Sequence, residues 1–125
     1  MLYSEHQHRI AGRPPKQLSY MDQLLLMHRR ADGTYCGKFK PIDRWYNSAH
    51  LKARREGLIK AGPLKIALEK GPGHYIWWLT DKGKKAAEEA WVRQQKYNDA
   101  LKVWGEKVRE ARKLWKQQHE EQPNG

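Results

Sequence analysis

The sequence predicts an α+β fold that is mainly helical, with one small domain and a long helical extension. Three patterns predict it: helically spaced apolar residues before residue 60, two strand-like segments around a glycine-proline turn, and a heptad pattern in the last third. The length of 125 residues suits one domain with an appendage.

The chain is expected to open with a flexible basic arm over residues 1–17, because glycine, proline and few apolar side chains bury little surface. A helix is predicted to begin at Ser19, where Asp22 completes a pair that resembles a capping box. The Asp32-Gly33 turn predicts the end of this helix near residue 30.

A second helical segment is predicted over residues 42–56, after a short extended piece at 34–40, with Pro41 as its first helical residue. One helix and two short helices both fit the pattern. Two registers also fit. The first buries the face formed by Ile42, Tyr46, Ala49 and Ala53, and the second buries Leu51 and Leu58. Gly57 is the predicted helix stop.

A two-stranded hairpin is predicted next, with strands at residues 64–69 and 75–80 joined by Gly71-Pro72-Gly73. Alternation places two sets of side chains on opposite faces, Tyr75, Trp77 and Leu79 on one and Ile76 and Trp78 on the other. Two strands alone are marginally stable, so the hairpin is expected to pack on the preceding helices.

A long helix is predicted over residues 83–120, capped by Thr80 or Asp81, with a disordered tail at 121–125. Its heptad pattern predicts dimerisation through a seam of Ala90, Gln94, Tyr97, Leu101, Trp104, Val108, Ala111 and Trp115. Bulky tryptophans strain a tight two-stranded coil, so the alternatives are that the seam packs on the body of the chain's own domain or in a looser bundle.

The charge distribution favours a polyanionic partner. The formal net charge is +11, of which residues 1–85 carry 17 basic against 7 acidic side chains, while residues 86–125 carry 8 against 7. One cysteine, no bilayer-length apolar run and no secretory signal predict a cytoplasmic protein without a membrane segment. No acid-base constellation or metal-ligand cluster is visible, so neither an enzyme nor a cofactor is expected.

Two short sequence motifs resemble those of a known protein family. Arg54-Arg55-Glu56-Gly57-Leu58-Ile59, followed after a hairpin-sized gap by Leu79-Thr80-Asp81-Lys82-Gly83, resembles the winged-helix transcription factors of the MarR and PadR families. The resemblance implies a winged helix-turn-helix over residues 18–82 with a two-stranded wing, and a PadR-like C-terminal dimerisation helix. It also implies a short helix before the recognition helix. The sequence of residues 34–46 departs from this expectation, because it has no clear helical pattern.

The candidate DNA-binding residues lie in three segments. A further resemblance, of Gly12-Arg13-Pro14-Pro15-Lys16 to the core of an AT-hook, implies minor-groove contact by the arm, and a disordered basic linker is the alternative. His6 and His8 are interpreted as part of the tail rather than as metal ligands. The arm, the recognition segment and the wing contribute Arg13, Lys16, Arg44, Asn47, Ser48, His50, Lys52, Arg54, Arg55, Lys65, Lys70 and His74.

The sequence therefore predicts a dimeric, sequence-specific protein that binds double-stranded DNA and regulates transcription, associated with the nucleoid when bound. The recognition helix is expected in the major groove, with the wing and arm on the backbone and the minor groove. A winged-helix adaptor that docks an acidic protein and an RNA-binding protein are the alternatives. The sequence does not reveal whether a small molecule regulates the protein.

Overall fold

The fold is α+β and mainly helical, as predicted, with a small sheet and a long C-terminal helix. A computed structural model describes residues 2–62 and 75–120. The elements in chain order are α1 (Tyr3–Ala11), α2 (Tyr20–Met27), β1 (Lys38–Phe39), α3 (Arg44–Arg55), β2 (Ile59–Ala61), β3 (Ile76–Leu79) and α4 (Asp81–Glu120). Among the described helices, none is both long enough and apolar enough to cross a bilayer.

The chain divides into two compact units. We call Leu18–Gln94 the sheet unit, and the residues before Leu18 together with those after Gln94 the terminal unit. The core of the sheet unit is formed by buried side chains from its helices, its sheet and the first turns of α4, namely Leu24, Leu25, Ala49, Ala53, Leu58, Ile59, Leu79 and Ala87. Tyr46 and Trp77 pack against this core from its edge.

Helix α2 begins where the sequence predicts, because the Ser19 hydroxyl accepts a hydrogen bond from the Asp22 amide at 3.1 Å. It ends at Met27, earlier than the predicted end near residue 30. The reason is that the following backbone pairs outside the helix, with the Cys36 amide donating to the His28 carbonyl at 2.8 Å. The predicted turn at Asp32-Gly33 closes this extended pairing instead.

Helix α3 is one continuous helix that begins at Arg44, so the prediction of Pro41 as the first helical residue is wrong. Asp43 is the N-cap, and its carboxylate accepts a hydrogen bond from the Trp45 amide at 2.8 Å. Ile42 lies before the helix and is fully exposed, at 102% of its reference area, which contradicts its predicted place in the core.

The remainder of the first predicted register of α3 is confirmed. Ala49 and Ala53 are buried and Tyr46 packs at the core edge, whereas Leu51 of the rival register is 42% exposed. The predicted stop at Gly57 is also confirmed. Gly57 has a φ of 73°, and the next amide, of Leu58, returns to the Ala53 carbonyl at 2.8 Å.

The sheet has three antiparallel strands in the order β1-β3-β2. The predicted strand at 75–80 is confirmed as Ile76–Leu79, and the predicted strand at 64–69 lies outside the described residues. Strand β3 pairs with Ile59–Ala61, directly after the Gly57 turn, with Ile59 opposite Leu79 and Ala61 opposite Trp77. Ile59 and Leu79 both enter the core, as the predicted alternation requires.

The start of α4 is fixed to the end of α3 by Thr80. The Thr80 hydroxyl accepts from the Gly83 amide at 3.1 Å, which confirms it as the helix cap, and donates to the Gly57 carbonyl at 2.6 Å. Further along α4, Arg93 donates two hydrogen bonds of 2.7 Å to the carboxylate of Asp22, which is buried on α2.

The terminal unit pairs α1 with the second half of α4, so the expectation of a flexible arm is wrong for Tyr3–Ala11. His6 is buried, and its Nε2 donates to the Ala111 carbonyl at 3.0 Å. The Tyr3 and Trp115 rings are in edge-to-face contact, with centroids 5.4 Å apart. The sequence pattern missed this helix because its few apolar side chains are compensated by aromatic and histidine contacts far away in the chain.

The heptad seam is partly occupied by the chain itself. Ala111 is fully buried, Trp115 contacts α1, and the Trp104 indole donates to the Gly12 carbonyl at 3.2 Å. Ala90 is also fully buried, whereas Leu101 is 38% exposed. Gln94, Tyr97 and Val108 are half-buried. Trp104, Ala111 and Trp115 thus contact the N-terminal residues of the same chain, a packing that the sequence pattern did not predict.

Two glycines of α4 differ in how closely other atoms approach them. A Cβ at Gly83 would clash with the backbone carbonyl of Leu58, whereas a Cβ at Gly105 would have only the end of the Arg109 side chain within reach, at 4.0 Å. We expect Gly83→Ala to lower the free energy of unfolding by about 3 kcal/mol, the upper end for overpacking. Gly105→Ala should raise it by about 1 kcal/mol, because alanine favours helix interiors.

Urea denaturation followed by circular dichroism measures both changes. If Gly83→Ala were as stable as the unmodified protein, the contact between the start of α4 and the Leu58 backbone would be contradicted.

Candidate nucleic-acid interface

Helix α3 presents a polar face to solvent, opposite its alanine face. Arg44, Ser48, Leu51 and Arg55 are exposed and follow one another at spacings that keep them on one side of a helix, with Lys52 beside them. The rise of 1.5 Å per residue makes this row about 16 Å long. The structure therefore brings together Arg44, Ser48, Lys52 and Arg55 among the predicted site residues.

The positive charge around α3 is not neutralised by nearby carboxylates. From residue 38 to residue 60, only Asp43 and Glu56 are acidic, and the carboxylate of Asp43 already caps the helix. Within the described residues, the basic side chains of this stretch form no ion pair with a carboxylate; they are Lys38, Lys40, Arg44, Lys52, Arg54, Arg55 and Lys60. The positive charge of this surface is therefore concentrated and left without neutralising carboxylates.

His50 does not belong to the exposed face, so the prediction that it contacts DNA is wrong. Its side chain is 1% exposed and meets the Trp77 ring edge-on, with centroids 4.8 Å apart. Burial, with the positive charges of Lys40 and Arg54, lowers the pKa of His50 to about 4. The imidazole is therefore neutral at pH 7 and packs in the interior against Trp77.

Asn47 lies at the boundary between the two faces of α3. It is half-buried, and its Oδ1 is buried without a hydrogen-bond partner among the described residues. An amide placed this way is less available to a base edge than Ser48, which is exposed one residue later. Asn47 therefore lies on a flank of α3 beside the exposed row.

Arg54 lies on the flank of α3 that faces the sheet. Its guanidinium carbon is 4.7 Å from the centroid of the Trp77 ring, a cation-π contact. Beside this pair is a cavity of about 490 Å³, lined by Lys40, Arg54, Ala61, Tyr75 and Trp77. The sequence pattern names Arg54 as a candidate DNA-binding residue, and the structure shows its side chain exposed, but the pattern does not reveal this cavity.

The remaining predicted residues fall outside the sheet unit or outside the described residues. Arg13 and Lys16 are exposed in the terminal unit. Lys65, Lys70 and His74 lie in the segment between residues 62 and 75 that the structure does not describe. Three exposed lysines of the sheet region were missed, Lys38, Lys40 and Lys60, because two of them lie in the piece assigned only as extended.

An exposed aromatic pair extends the start of α3. The Trp45 ring is 53% exposed and stacks on Tyr20 at 11° with centroids 6.2 Å apart, and the Arg44 guanidinium lies 4.8 Å from the Trp45 ring centroid. The sequence pattern assigned Tyr20 to a helix without a surface role and did not use Trp45. A planar cation held over an aromatic ring is fixed in position near the helix start.

No protein-family model, curated protein or solved structure matches this chain. Among the described residues, no group of three or more histidine, cysteine, aspartate or glutamate side chains is arranged to hold a metal ion.

The burial of His50 predicts a pH-dependent stability. Between pH 6.5, the ordinary pKa of the unfolded imidazole, and its folded value of about 4, only the unfolded state binds the proton. The free energy of unfolding should therefore fall as the pH falls through this range, and His50 contributes no slope above it. At about 1.4 kcal/mol per pKa unit, His50 accounts for about 3 kcal/mol of the loss.

His50→Leu should remove this part of the slope, measured by urea denaturation at several pH values. Ala49→Gly is the control, because it weakens α3 by about 1 kcal/mol but keeps the imidazole, and should retain the slope. Equal slopes for the unmodified protein and His50→Leu would contradict the burial of an uncharged His50.

Proposed function

We propose that the protein binds double-stranded DNA as a winged-helix protein, with α3 as the recognition helix in the major groove. The observation that carries the proposal is the exposed row on α3 with Lys52 beside it, whose cations Arg44, Lys52 and Arg55 form no ion pair with a described carboxylate. Arginine, lysine and serine are the residue types that bond phosphates and base edges.

The dimensions of α3 support this mode of binding. The major groove is about 12 Å wide and admits an α-helix. With 12 residues, α3 extends roughly 18 Å, enough to lie along the groove while residues at both ends reach the phosphates. Its inner face is fixed by Ala49 and Ala53 in the core, so the basic row is held outward.

The neighbouring elements support the winged-helix part of the proposal. Strands β2 and β3 follow α3 as an antiparallel pair, β1 adds to the other edge of β3, and α4 begins directly after β3. This is the order that the family resemblance implies. The short helix that the families place before the recognition helix is absent here, since Pro41, Ile42 and Asp43 lead into α3 without a helix.

A role in transcription follows from occupancy of duplex DNA. A protein held in the major groove blocks polymerase from the same site or contacts it beside the site. One copy is sufficient for the contacts proposed here. Dimerisation through α4 would have to use the exposed part of the seam, because Trp104, Ala111 and Trp115 contact the chain's own residues.

The proposal predicts a steep salt dependence of duplex binding, with the logarithm of the association constant falling linearly with the logarithm of salt concentration. Lys52→Ala should reduce the slope by about 1, and Arg55→Ala should weaken binding by roughly tenfold. Lys113→Ala removes the same charge from an exposed position of the terminal unit and is the control, expected to change binding less than twofold. Fluorescence anisotropy at two salt concentrations measures all three.

Selection of bound sequences from a random duplex pool tests whether bases are read. A defined consensus that becomes weaker in Arg44→Ala or Ser48→Ala supports recognition by α3. No binding to duplex at low salt, with binding to an acidic protein instead, would contradict the proposal. A preference for hairpin RNA over duplex DNA would contradict it as well.

A further inference from the structure

The cavity beside Arg54 brings cations and aromatic rings together around one solvent-open space. Its described lining is Lys40 from the end of β1, Arg54 from α3, Ala61 from β2, and Tyr75 and Trp77 from the β3 segment. All five come from the sheet unit. A volume of about 490 Å³ is within the range of roughly 300–1,000 Å³ typical of small-molecule sites.

The charges of this cavity select an anion. Lys40 and Arg54 are the two ionised side chains of the described lining, and no described carboxylate faces them there. Both are exposed, so each retains donors for a ligand. The guanidinium of Arg54 is already held in place over Trp77, which reduces the entropy lost when it binds a phosphate.

The rings of this cavity select a planar group. Tyr75 and Trp77 are two residues apart in an extended segment, so their side chains are on the same face of the sheet. Both rings are half-buried, which leaves part of each available. Aromatic side chains on a sheet face, beside cations, are the arrangement that stacks the bases of unpaired nucleotides.

We propose that this cavity holds one unpaired nucleotide, with its base against Tyr75 and Trp77 and its phosphate between Lys40 and Arg54. The inference rests on the proposed function, because Arg54 is adjacent in the chain to Arg55 of the exposed row and continues the basic surface into the cavity. When a duplex is bound on α3, Arg55 and Arg54 supply positive charge between the exposed row and the cavity. The phosphates of an unpaired strand end can contact this charge. The preferred DNA is therefore a duplex with an unpaired nucleotide at an end or junction.

Three ligands test this: a blunt duplex, the same duplex with a one-nucleotide overhang of 2-aminopurine, and free deoxyadenosine monophosphate. We expect the overhang duplex to bind roughly tenfold tighter than the blunt one, within the range for stacking one base. The fluorescence of 2-aminopurine should fall on binding, because stacking on aromatic rings quenches it. Free deoxyadenosine monophosphate should compete for the overhang but not for the blunt duplex.

The variants are Tyr75→Leu, which removes the ring but keeps an apolar side chain, and Tyr75→Phe, which keeps the ring. Tyr75→Leu should lose the overhang preference and the quenching while binding the blunt duplex within twofold of the unmodified protein. Tyr75→Phe should retain both. Lys40→Ala should weaken binding of the overhang duplex more than of the blunt duplex, and Lys113→Ala should weaken neither.

The outcomes separate this inference from the proposed function. Salt-dependent binding of the blunt duplex without an overhang preference or quenching would overturn the nucleotide site and leave duplex binding intact. Quenching that is lost in Tyr75→Leu, without any binding of the blunt duplex, would support the site and overturn duplex recognition by α3. An overhang preference that persists in Tyr75→Leu would overturn the site.

Discussion

The hydrogen bond from the Thr80 hydroxyl to the Gly57 carbonyl, 2.6 Å long, joins the end of α3 to the point where β3 becomes α4. The same hydroxyl caps α4 through Gly83, whose missing side chain lets the helix start approach the Leu58 backbone. The positions of α3, of the β2-β3 pair and of α4 in the sheet unit all depend on this junction. The basic row and the cavity have their geometry because these three elements meet there.

The division of α3 into two faces explains how a strongly basic helix packs against an apolar core without burying its charges. Alanines occupy the inner face, so the helix lies close to the core, and the buried imidazole of His50 is kept neutral by burial. The cations are left to the outer face and the flank. Elsewhere in the sheet unit, carboxylates are engaged internally, as Asp22 is by Arg93 and Glu88 by Arg29.

Local signals in the sequence were sufficient for the elements they control. Ser19, Gly57 and Thr80 act through hydrogen bonds or φ angles within a few residues, and each helix boundary they predict is found. Features set by distant contacts were missed. Strand β2 has three residues and exists because β3 pairs with it, and α1 depends on Ala111 and Trp115, so neither has a local pattern. His50 was assigned by residue type, which does not reveal that its helix face is turned inward.

The contact between His6 and Ala111 spans 105 positions of the chain. During translation, at about 5–20 residues per second, His6 therefore emerges roughly 5–20 s before its partner is synthesised. Helix α1 has nine residues, too few to be stable alone in water. The ribosome thus completes the sheet unit before the first helix has anything to fold against, and the terminal unit cannot form until residues beyond the sheet unit have been synthesised.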